Sequence, residues 1–496
     1  MRITFTPPAS PSLPAPHHAL AAAGNVATAG AAIETLFNAM SARVDVERIL
    51  LRAAAGAGKS FVLKRMVEEA LTHPRCRRIA ITAFANKQVF PLAEALGKQL
   101  GRDRVCLFVA KDRAEDVPDN IREVALVESD YKEVPPGIEV VLATSHKLGG
   151  NAKWLEKQLG LATDGEHLFD LLFVDEAWQL PLHRYREVER LAPIAIGVGD
   201  VGQLPPIDPG QNPWRGDRGY NPYRAWPTAY ERDRQTWVRE LPAVWRPCAE
   251  QLPLWRAFYG DWESLNCVAG AGDRSIELGA LEGASADVWR SVATGVPTLV
   301  EVDGLPDPDA ADIDPPLLGV VEGWLDDLLT AGFVVHAKTY DGHGDPDGDT
   351  VTRSDAPHGD ALIAVLATRN QAVDDAHEMV ERLVAKHDLP EGVLVASTVD
   401  SWQGQTNAIT VAIHPLSGAY ALDEFNSAFG RLAVTCTRAT HGLLLVSRKN
   451  LDELLAVAPA RPGTPLGEPG TRQLPRQTHG RILQTFARGV YHAAGA

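Results

Sequence analysis

The sequence contains little of what stabilises disulfide-bonded, zinc-binding or membrane-spanning proteins. Its 496 residues include five scattered cysteines, Cys76, Cys106, Cys248, Cys267 and Cys436. No C-x-x-C pair or cysteine–histidine spacing is present, which argues against a disulfide framework or a zinc site. The proline-rich start lacks the apolar centre of a secretory signal, and no apolar run reaches the roughly 18 residues of a membrane span. We therefore expect a cytoplasmic protein without a membrane partner.

A general excess of basic residues is also missing, because the net charge is −16. One stretch carries this imbalance: residues 261–360 hold 21 acidic and 4 basic residues, whereas the remainder holds 43 and 44. The near-neutral remainder leaves room for a local basic groove. We interpret the acidic stretch as a solvated insertion that repels nucleic acid, with a basic protein partner or gating of the track as alternatives.

What the sequence does contain is a repeated alternation of apolar strands and amphipathic helices. The strand-like runs of the first half lie at 49–56, 77–84, 138–145, 168–177 and 192–200, with helical stretches such as 89–100 between them. In the second half they lie at 297–304, 333–340, 360–370, 392–400, 408–416 and 442–450, with helices at 317–330, 371–388 and 424–437. Continuous apolar strands between helices predict an α/β fold with two parallel sheets, each covered on both faces. The Gly/Asp-rich residues 341–360 are predicted to form a long exposed loop.

The stretch RAAAGAGKS at 52–60 has the pattern of a phosphate-binding loop between a strand and a helix. Its glycines would let backbone N–H groups close on phosphate oxygens at the positive end of the helix. Lys59 would reach the β- and γ-phosphates and Ser60 would ligate Mg²⁺, so ATP and Mg²⁺ are the predicted cofactors. Ala53 stands where the usual pattern has its first glycine. The residues expected around the phosphates are Gly56, Ala57, Gly58, Lys59 and Ser60.

A second apolar strand ends in a pair of acids, Asp175 and Glu176. Asp175 would hold Mg²⁺ through water, and Glu176 would position the attacking water. Two acids after an apolar strand can also cap a helix. The phosphate-binding loop upstream favours the catalytic interpretation.

Further blocks resemble, in order, the motifs of superfamily 1 helicases. DEAWQ (175–179) and GDVGQLPPI (199–207) resemble motifs II and III, and residues 241–259 resemble the arginine-containing segment that follows them. LIAVLATRNQAV (362–373), STVDSWQGQT (397–406) and GRLAVTCTRATHGLLLV (430–446) resemble motifs IV, V and VI. The resemblance runs from about residue 50 to 447. It implies two RecA-like lobes with ATP bound in the cleft between them.

The resemblance also implies roles for residues around the nucleotide. Gln203 would sense the γ-phosphate, while Arg246 and Arg438 would act as arginine fingers that stabilise developing charge. Gln403 and Gly404 would approach the nucleotide from the second lobe. Trp245 replaces the usual tyrosine and has two open interpretations, stacking on the nucleotide base or packing in the core.

Loops at the strand ends of both lobes are the expected contacts for a nucleic-acid strand. Phe84 would stack on a base or belong to the core, and Lys87 would pair with a phosphate. In the second lobe, the loop after the strand at 392–400 would touch both ATP and the strand. The complete set of candidates is Phe84, Asn86, Lys87, Thr144, His146, Thr398 and Asp400.

Two positions depart from the family pattern and leave the nucleotide base preference open. Thr406 ends motif V, where the family usually has a glutamate that contacts the ribose. The glutamine motif expected before the phosphate-binding loop is not present in residues 24–40.

The predicted domain organisation has four parts. A flexible Ala-rich segment (1–35) precedes a first RecA-like lobe (36–240) and a second lobe (241–458), which contains the acidic insertion at about 261–360. The Pro/Gly/Arg-rich segment 459–496 ends the sequence and is, like the acidic insertion, a candidate for binding a protein partner.

The predicted function is ATP-driven translocation along single-stranded nucleic acid, with DNA favoured over RNA and with unwinding of duplex. The Gln-Leu-Pro-Pro run of motif III resembles the 5′-to-3′ branch of the family, whereas FANKQ at 84–88 resembles the 3′-to-5′ branch. The alternative is an ATPase switch that docks on a strand and recruits a partner without processive unwinding. A one-lobe P-loop kinase is a weaker third hypothesis, because it would not need the arginines of the second lobe.

Overall fold

The computed structural model describes residues 2–10, 14–206, 212–213, 220–260, 262, 264–308, 313–356, 361–368, 370–422, 429–458 and 475–493. The last residue of the motif III block, at 207, and most of the Pro/Gly/Arg-rich segment, at 459–474, lie outside these ranges. Within them, two parallel sheets form the cores of two lobes.

The first lobe is built on strands that are apolar on both faces, which favours a parallel sheet between two layers of helices. Its strands are β1 (Arg48–Ala53), β2 (Ile79–Ala83), β3 (Val105–Phe108), β4 (Leu126–Glu128), β5 (Val140–Thr144), β6 (Leu171–Val174), β7 (Ile194–Asp200) and β8 (Thr236–Leu241). Its helices are α1 (His18–Met40), α2 (Lys59–Leu71), α3 (Asn86–Leu100), α4 (Asp119–Val124), α5 (Ser145–Leu159) and α6 (Leu182–Tyr185). The strand order is β4-β3-β5-β2-β6-β7-β1-β8, and every pair is parallel.

All five strands predicted in the first half are present, as β1, β2, β5, β6 and β7. The sequence analysis missed three strands. β3 and β4 have only four and three residues, which is too few for a periodic signal. β8 is an edge strand with mixed polar and apolar residues, so its sequence does not resemble a buried strand.

The rest of the chain contributes eleven strands and seven helices to the described structure. The strands are β9 (Ala243–Val244), β10 (Asn266–Cys267), β11 (Arg274–Leu278), β12 (Thr298–Asp303), β13 (Phe333–Tyr340), β14 (Pro346–Arg353), β15 (Ile363–Ala367), β16 (Leu394–Thr398), β17 (Asn407–Ile413), β18 (Ala439–Arg448) and β19 (Ala487–His492). The helices are α7 (Leu252–Phe258), α8 (Gly283–Ala293), α9 (Pro315–Ala331), α10 (Asn370–His387), α11 (Phe429–Cys436), α12 (Leu451–Val457) and α13 (Pro475–Leu483). Six of these strands form the parallel sheet of the second lobe in the order β16-β15-β17-β18-β12-β19.

The acidic stretch 261–360 is not a single insertion, because part of it belongs to the second sheet. Its strand β12 lies inside the second sheet between β18 and β19, and five of its six residues are buried. The strand was predicted at 297–304, and only its place inside the second sheet could not be inferred from the sequence. The predicted loop at 341–360 also contains β14, which pairs antiparallel with β13. β13, predicted as a strand of the second sheet, forms a separate three-stranded ribbon with β11 and β14.

Both ends of the chain are part of the folded lobes, which corrects the predicted domain boundaries. β19, from the predicted C-terminal segment, completes the second sheet, and Arg488 on it bonds Glu301 at 2.8 Å. Thr6 bridges to the same strand. The helix α1 packs in the core of the first lobe, so residues 18–35 are part of that lobe and not a separate N-terminal segment.

The helix α1 is long and apolar enough to cross a membrane by length and composition, and no other described helix meets that criterion. In this fold its apolar side packs on the first lobe, where Ala29, Ala32 and Leu36 join the core. A buried amide also holds it: Asn25 Nδ2 donates to the carbonyl oxygens of Ala57 (3.0 Å) and Ala243 (2.8 Å). Its Oδ1 accepts from the N–H of Ala243 at 2.9 Å. One side chain thus ties α1 to the phosphate-binding loop and to β9.

The three hydrogen bonds of the Asn25 side chain lead to a first testable expectation. The Asn25→Ala change should lower the free energy of unfolding by about 3 kcal/mol, because it leaves buried backbone groups without partners. Urea unfolding followed by circular dichroism measures this difference. Thr35→Ala is the matched control, since the exposed Thr35 hydroxyl bonds only a carbonyl of its own helix. Equal midpoints for the two variants would show that Asn25 does not anchor α1.

Candidate nucleotide site between the lobes

The loop after β1 has the backbone that its glycines allow. Gly56 and Gly58 have φ of +71° and +86°, a region that side chains rarely adopt. Gly58 is the N-terminal capping position of α2, so no side chain from that position covers the first N–H groups of the helix. The positive end of α2 is therefore open to an anion.

The segment that leaves the first lobe lies directly against this loop. The N–H of Trp245 donates to the carbonyl of Gly56 at 2.7 Å. A Cβ atom at position 56 would lie 2.4 Å from Cβ of Arg246, which is closer than atoms can approach. A glycine at 56 is therefore needed both for the left-handed turn and for the position of Arg246.

A buried tyrosine connects the loop to motif III. The hydroxyl of Tyr259 accepts from the N–H of Ala55 at 3.0 Å and donates to the Asp200 carboxylate, whose two oxygens lie at 2.8 and 2.9 Å. Trp255 Nε1 donates to the carbonyl of Ala55 at 3.0 Å. Burial and then the adjacent Asp200 raise the pKa of Tyr259 well above its ordinary value, so the hydroxyl keeps its proton.

The lysine of the loop is paired with the expected catalytic acid. Lys59 Nζ lies 2.9 and 3.2 Å from the two carboxylate oxygens of Glu176. Burial alone would lower the pKa of Lys59, but Glu176 and then Asp200 raise it above the ordinary value. Glu176 itself has φ +47° and ψ +46°, a left-handed conformation that is uncommon for a residue with a side chain.

The residues expected to hold Mg²⁺ fit a hard cation. Ser60 and Asp175 offer a hydroxyl and a carboxylate, the oxygen ligands that Mg²⁺ prefers when phosphates and water complete its shell. Burial, followed by the charge of Glu176, raises the pKa of Asp175 to about 7. A buried carboxyl that holds its proton so strongly would be stabilised in its ionised form by a cation. Within the described ranges, this site included, no group of three or more His, Cys, Asp or Glu side chains is arranged to hold a metal ion.

The two arginines of the second half reach the same cavity from the other side. The cavity has a volume of about 420 Å³, and its lining includes Lys59, Glu176, Gln203, Arg246 and Arg438. Arg246 donates to the carbonyl of Thr437 at 2.9 Å. Arg438 is fully buried and donates to groups of its own lobe, the carbonyls of Val434 and Gln405 and the hydroxyl of Thr437. Burial and the nearby Arg246 lower the pKa of Arg438 to about 9.

The remaining nucleotide candidates also lie where the lobes meet. Gln403 Nε2 donates to Gln203 Oε1 across the cleft at 3.4 Å. Gly404 and Thr406 line the cavity. Gly430, at the start of α11, packs so closely on the carbonyl of Gln203 that a Cβ there would lie at 2.7 Å. Motifs III, V and VI therefore converge at one place.

A second cavity of about 330 Å³ continues from the phosphate-binding loop. Its lining is mainly apolar and comes from α1, α2, Trp245 and the turn between β13 and β14: Val26, Ala29, Gly58, Phe61, Trp245 and Tyr340 are part of it. Trp245 lines both cavities and contacts the Tyr340 ring edge-on at 6.4 Å. Its indole is half-buried, so it packs on one side and remains available for stacking on the other. Asn25 also lines this cavity, but its amide is already bonded to backbone.

The candidate strand contacts of the first lobe share one edge of its sheet. Ala83 and Thr144 are paired in register at the ends of β2 and β5, so the loops that follow them are neighbours. Phe84 is 39% exposed, which excludes the core interpretation. Asn86 begins α3, and Lys87 in its first turn is exposed.

The other candidates have additional roles within the fold. Thr144 caps α5 by accepting from the N–H of Lys147 at 3.4 Å. His146 is exposed and lies 3.6 Å from Glu187. At the end of β16, Thr398 accepts from the N–H of Ser401, and Asp400 lies 3.5 Å from Arg431.

Comparison with known proteins agrees with the architecture of the first lobe. A family model described as an AAA domain matches residues 37–209, from the end of α1 to motif III. No curated protein sequence matches the chain.

Solved structures that resemble the chain are helicases, at low identity. The PRRSV helicase is 13% identical with a TM-score of 0.36, over 84% of this chain and 56% of that one. Arterivirus nonstructural protein 10, a helicase solved with DNA, is 15% identical with a TM-score of 0.37, over 83% and 63%. The DUF1998 helicase MrfA bound to DNA is 10% identical with a TM-score of 0.42, over 91% and 50%. The chain thus spans between half and two thirds of the length of these proteins.

The parallel sheet on each side of the cleft confirms the predicted α/β fold with two parallel-sheet lobes. Sequence reasoning placed Asp200 in motif III and noted Tyr259, but it gave neither a role. The Phe-Tyr pair at the end of the 241–259 block was the sequence feature that could have drawn attention to Tyr259. Its partner, the N–H of Ala55 in the first lobe, could not be inferred from sequence.

The link through Tyr259 leads to a second expectation. Removing only its hydroxyl, in Tyr259→Phe, should lower the free energy of unfolding by about 2 kcal/mol, because the N–H of Ala55 loses its partner and Asp200 loses a donor. Denaturant titration measures the loss. Tyr420→Phe removes a hydroxyl from a side chain that is 92% exposed and should leave stability unchanged. A Tyr259→Phe protein as stable as this control would contradict the assigned role.

Proposed function

We propose that this protein is a nucleoside-triphosphate-driven translocase of the superfamily 1 helicase type, acting on single-stranded nucleic acid. The observation that carries the proposal is the single cavity in which Lys59 and Glu176 of one lobe face Arg246 and Arg438 on the other side. A kinase or switch with one lobe would not need a second lobe that supplies buried guanidinium groups to its phosphate site.

Each group in the cavity has a distinct part in phosphoryl transfer. The open end of α2 and Lys59 bind the β- and γ-phosphates. Mg²⁺, held by Ser60 and Asp175, would neutralise charge on these phosphates. Glu176 orients the attacking water, and Gln203 contacts the γ-phosphate. Binding of phosphates to Lys59 breaks its pair with Glu176, which frees the carboxylate for its role.

The arginines link hydrolysis to movement of the lobes. Arg438 now donates to carbonyls of its own lobe, so it needs a shift of α11 or a change of rotamer to reach the γ-phosphate. Closing the lobes around the triphosphate supplies that shift, and loss of the γ-phosphate removes the attraction. Gln403 and Gln203 already touch across the cleft and can report this change to the loop after β16.

The strand would cross the ends of β2, β5 and β16. Phe84 offers an exposed ring for stacking and Lys87 a cation for a phosphate. The relatives solved with DNA favour DNA as the track, and the motif III sequence favours 5′-to-3′ movement. We assign the nucleotide base to the second cavity, whose lining is mainly apolar and aromatic. Such a lining does not distinguish adenine from guanine by hydrogen bonds, so we expect ATP and GTP to be hydrolysed at similar rates.

The role of Glu176 is tested by the Glu176→Gln change. Turnover should fall about 100-fold or more, because the water loses its carboxylate partner. ATP binding should become tighter, since Lys59 no longer has to leave an ion pair. The two quantities are measured by phosphate release and by fluorescent-nucleotide titration, with Glu123→Gln on the exposed face of α4 as the control. Near-normal turnover would contradict the assignment of Glu176.

The function as a whole is tested by ATPase and unwinding assays with the same preparation. Hydrolysis should be stimulated by single-stranded DNA more than by duplex DNA, and a duplex with a 5′ single-stranded tail should be unwound. Unwinding of only the 3′-tailed duplex would reverse the direction. Stimulated hydrolysis without unwinding would favour the switch that recruits a partner, and hydrolysis independent of any oligonucleotide would contradict the proposal.

A further inference from the structure

A chain of three hydrogen bonds connects the strand loop of the first lobe to the catalytic carboxylate. The N–H of Ala85 donates to Gln88 Oε1 at 3.0 Å. Gln88 Nε2 donates to Gln179 Oε1 at 2.8 Å, and Gln179 Nε2 donates to Glu176 Oε2 at 3.2 Å. The two ends of this chain lie in different motifs, beside Phe84 and at the end of β6.

The two ends of the chain determine its direction. A backbone N–H can only donate, and an ionised carboxylate can only accept. Each glutamine amide between them must therefore present its oxygen toward Ala85 and its nitrogen toward Glu176. The amide orientations follow from these terminal groups and do not depend on how the atoms were assigned.

The chain and Lys59 share one oxygen of the same carboxylate. Glu176 Oε2 accepts from both Lys59 Nζ, at 3.2 Å, and Gln179 Nε2, also at 3.2 Å. Gln179 is buried, so it has little freedom to bond water instead. When phosphates take Lys59 away, the orientation of Glu176 depends on Gln179, and that of Gln179 depends on Gln88.

We propose that Gln88 and Gln179 are positioning residues through which a strand bound at the Phe84–Lys87 loop orients Glu176 for hydrolysis. This inference rests on the proposed function, since it needs a strand at that loop. A base stacked on Phe84 or a phosphate on Lys87 moves the first turn of α3, which carries Gln88. The chain passes that movement to the carboxylate over three hydrogen bonds, without using the contacts of the second lobe.

Gln88 also has a structural role that must be separated from this one. By accepting from the N–H of Ala85, it closes the first turn of α3. The Gln88→Glu change keeps that acceptor but cannot donate to Gln179, so it retains the cap and breaks the chain. Gln88→Met removes both functions with little change in length. Gln484→Glu introduces the same charge at an exposed position directly after α13 that lines neither of the two cavities at the cleft, and it is the control.

The experiment measures hydrolysis at saturating ATP and saturating single-stranded DNA, together with the KM for ATP, the Kd for the strand and the unfolding midpoint. Gln88→Glu and Gln88→Met should each lower the strand-stimulated kcat about tenfold, with less than a threefold change in the KM for ATP. Gln88→Glu should keep the wild-type unfolding midpoint, which excludes loss of the cap as the cause. Gln484→Glu should behave like wild type.

Normal stimulation in both Gln88 variants, at strand concentrations that saturate each of them, would overturn the inference and leave the proposed function intact. A second outcome would also overturn the inference: stimulation lost in Gln88→Met together with a lower unfolding midpoint, but normal in Gln88→Glu. That result would show that Gln88 acts only by capping the first turn of α3. If wild type itself is not stimulated by any strand, the proposed function fails and this inference fails with it.

Discussion

The absence of a side chain at position 56 is the constraint on which the two-lobed site depends. The segment leaving the first lobe can bond the phosphate-binding loop, Trp245 N–H to Gly56 carbonyl, only because Arg246 occupies the space of the missing Cβ. That contact places Arg246 in the cleft and sets the course of the chain into the second lobe. The hydroxyl of Tyr259 adds a second attachment thirteen residues later, at Ala55.

Charge balance in the cleft gives the nucleotide its effect. Six charged side chains lie buried or partly buried in the cleft. Three are acids (Asp175, Glu176 and Asp200) and three are bases (Lys59, Arg246 and Arg438). In this state they partly satisfy one another, as the pair of Lys59 and Glu176 shows. In the proposed function, a triphosphate with its cation would replace those pairings by new ones and so change the preferred position of each group. The same redistribution would couple chemistry on one side of the cleft to the other lobe.

The acidic stretch shows how composition can conceal architecture. Its charge of one sign suggested an insertion, yet it supplies β12, which lies between β18 and β19 in the second sheet. It also supplies the ribbon whose turn lines the second, mainly apolar cavity. Gly344 in that turn lies so close to α1 that a Cβ would be 2.6 Å from Ala22. The turn and α1 together build the wall of the cavity where the family's glutamine motif is missing.

The sequence by itself determined the parts of the site that are local: the glycine turn before α2, the two acids after β6 and the long apolar strands of both sheets. These depend on backbone conformation and burial within a few residues, which leave a pattern in the sequence. Tertiary structure decided the rest. It alone paired Asp200 with Tyr259, brought α1 and β19 into the lobes, exposed Phe84 and aligned Gln88, Gln179 and Glu176. The physical reason is that each of these contacts joins residues far apart in the chain, and hydrogen-bond partners at such separations have no periodicity to reveal them.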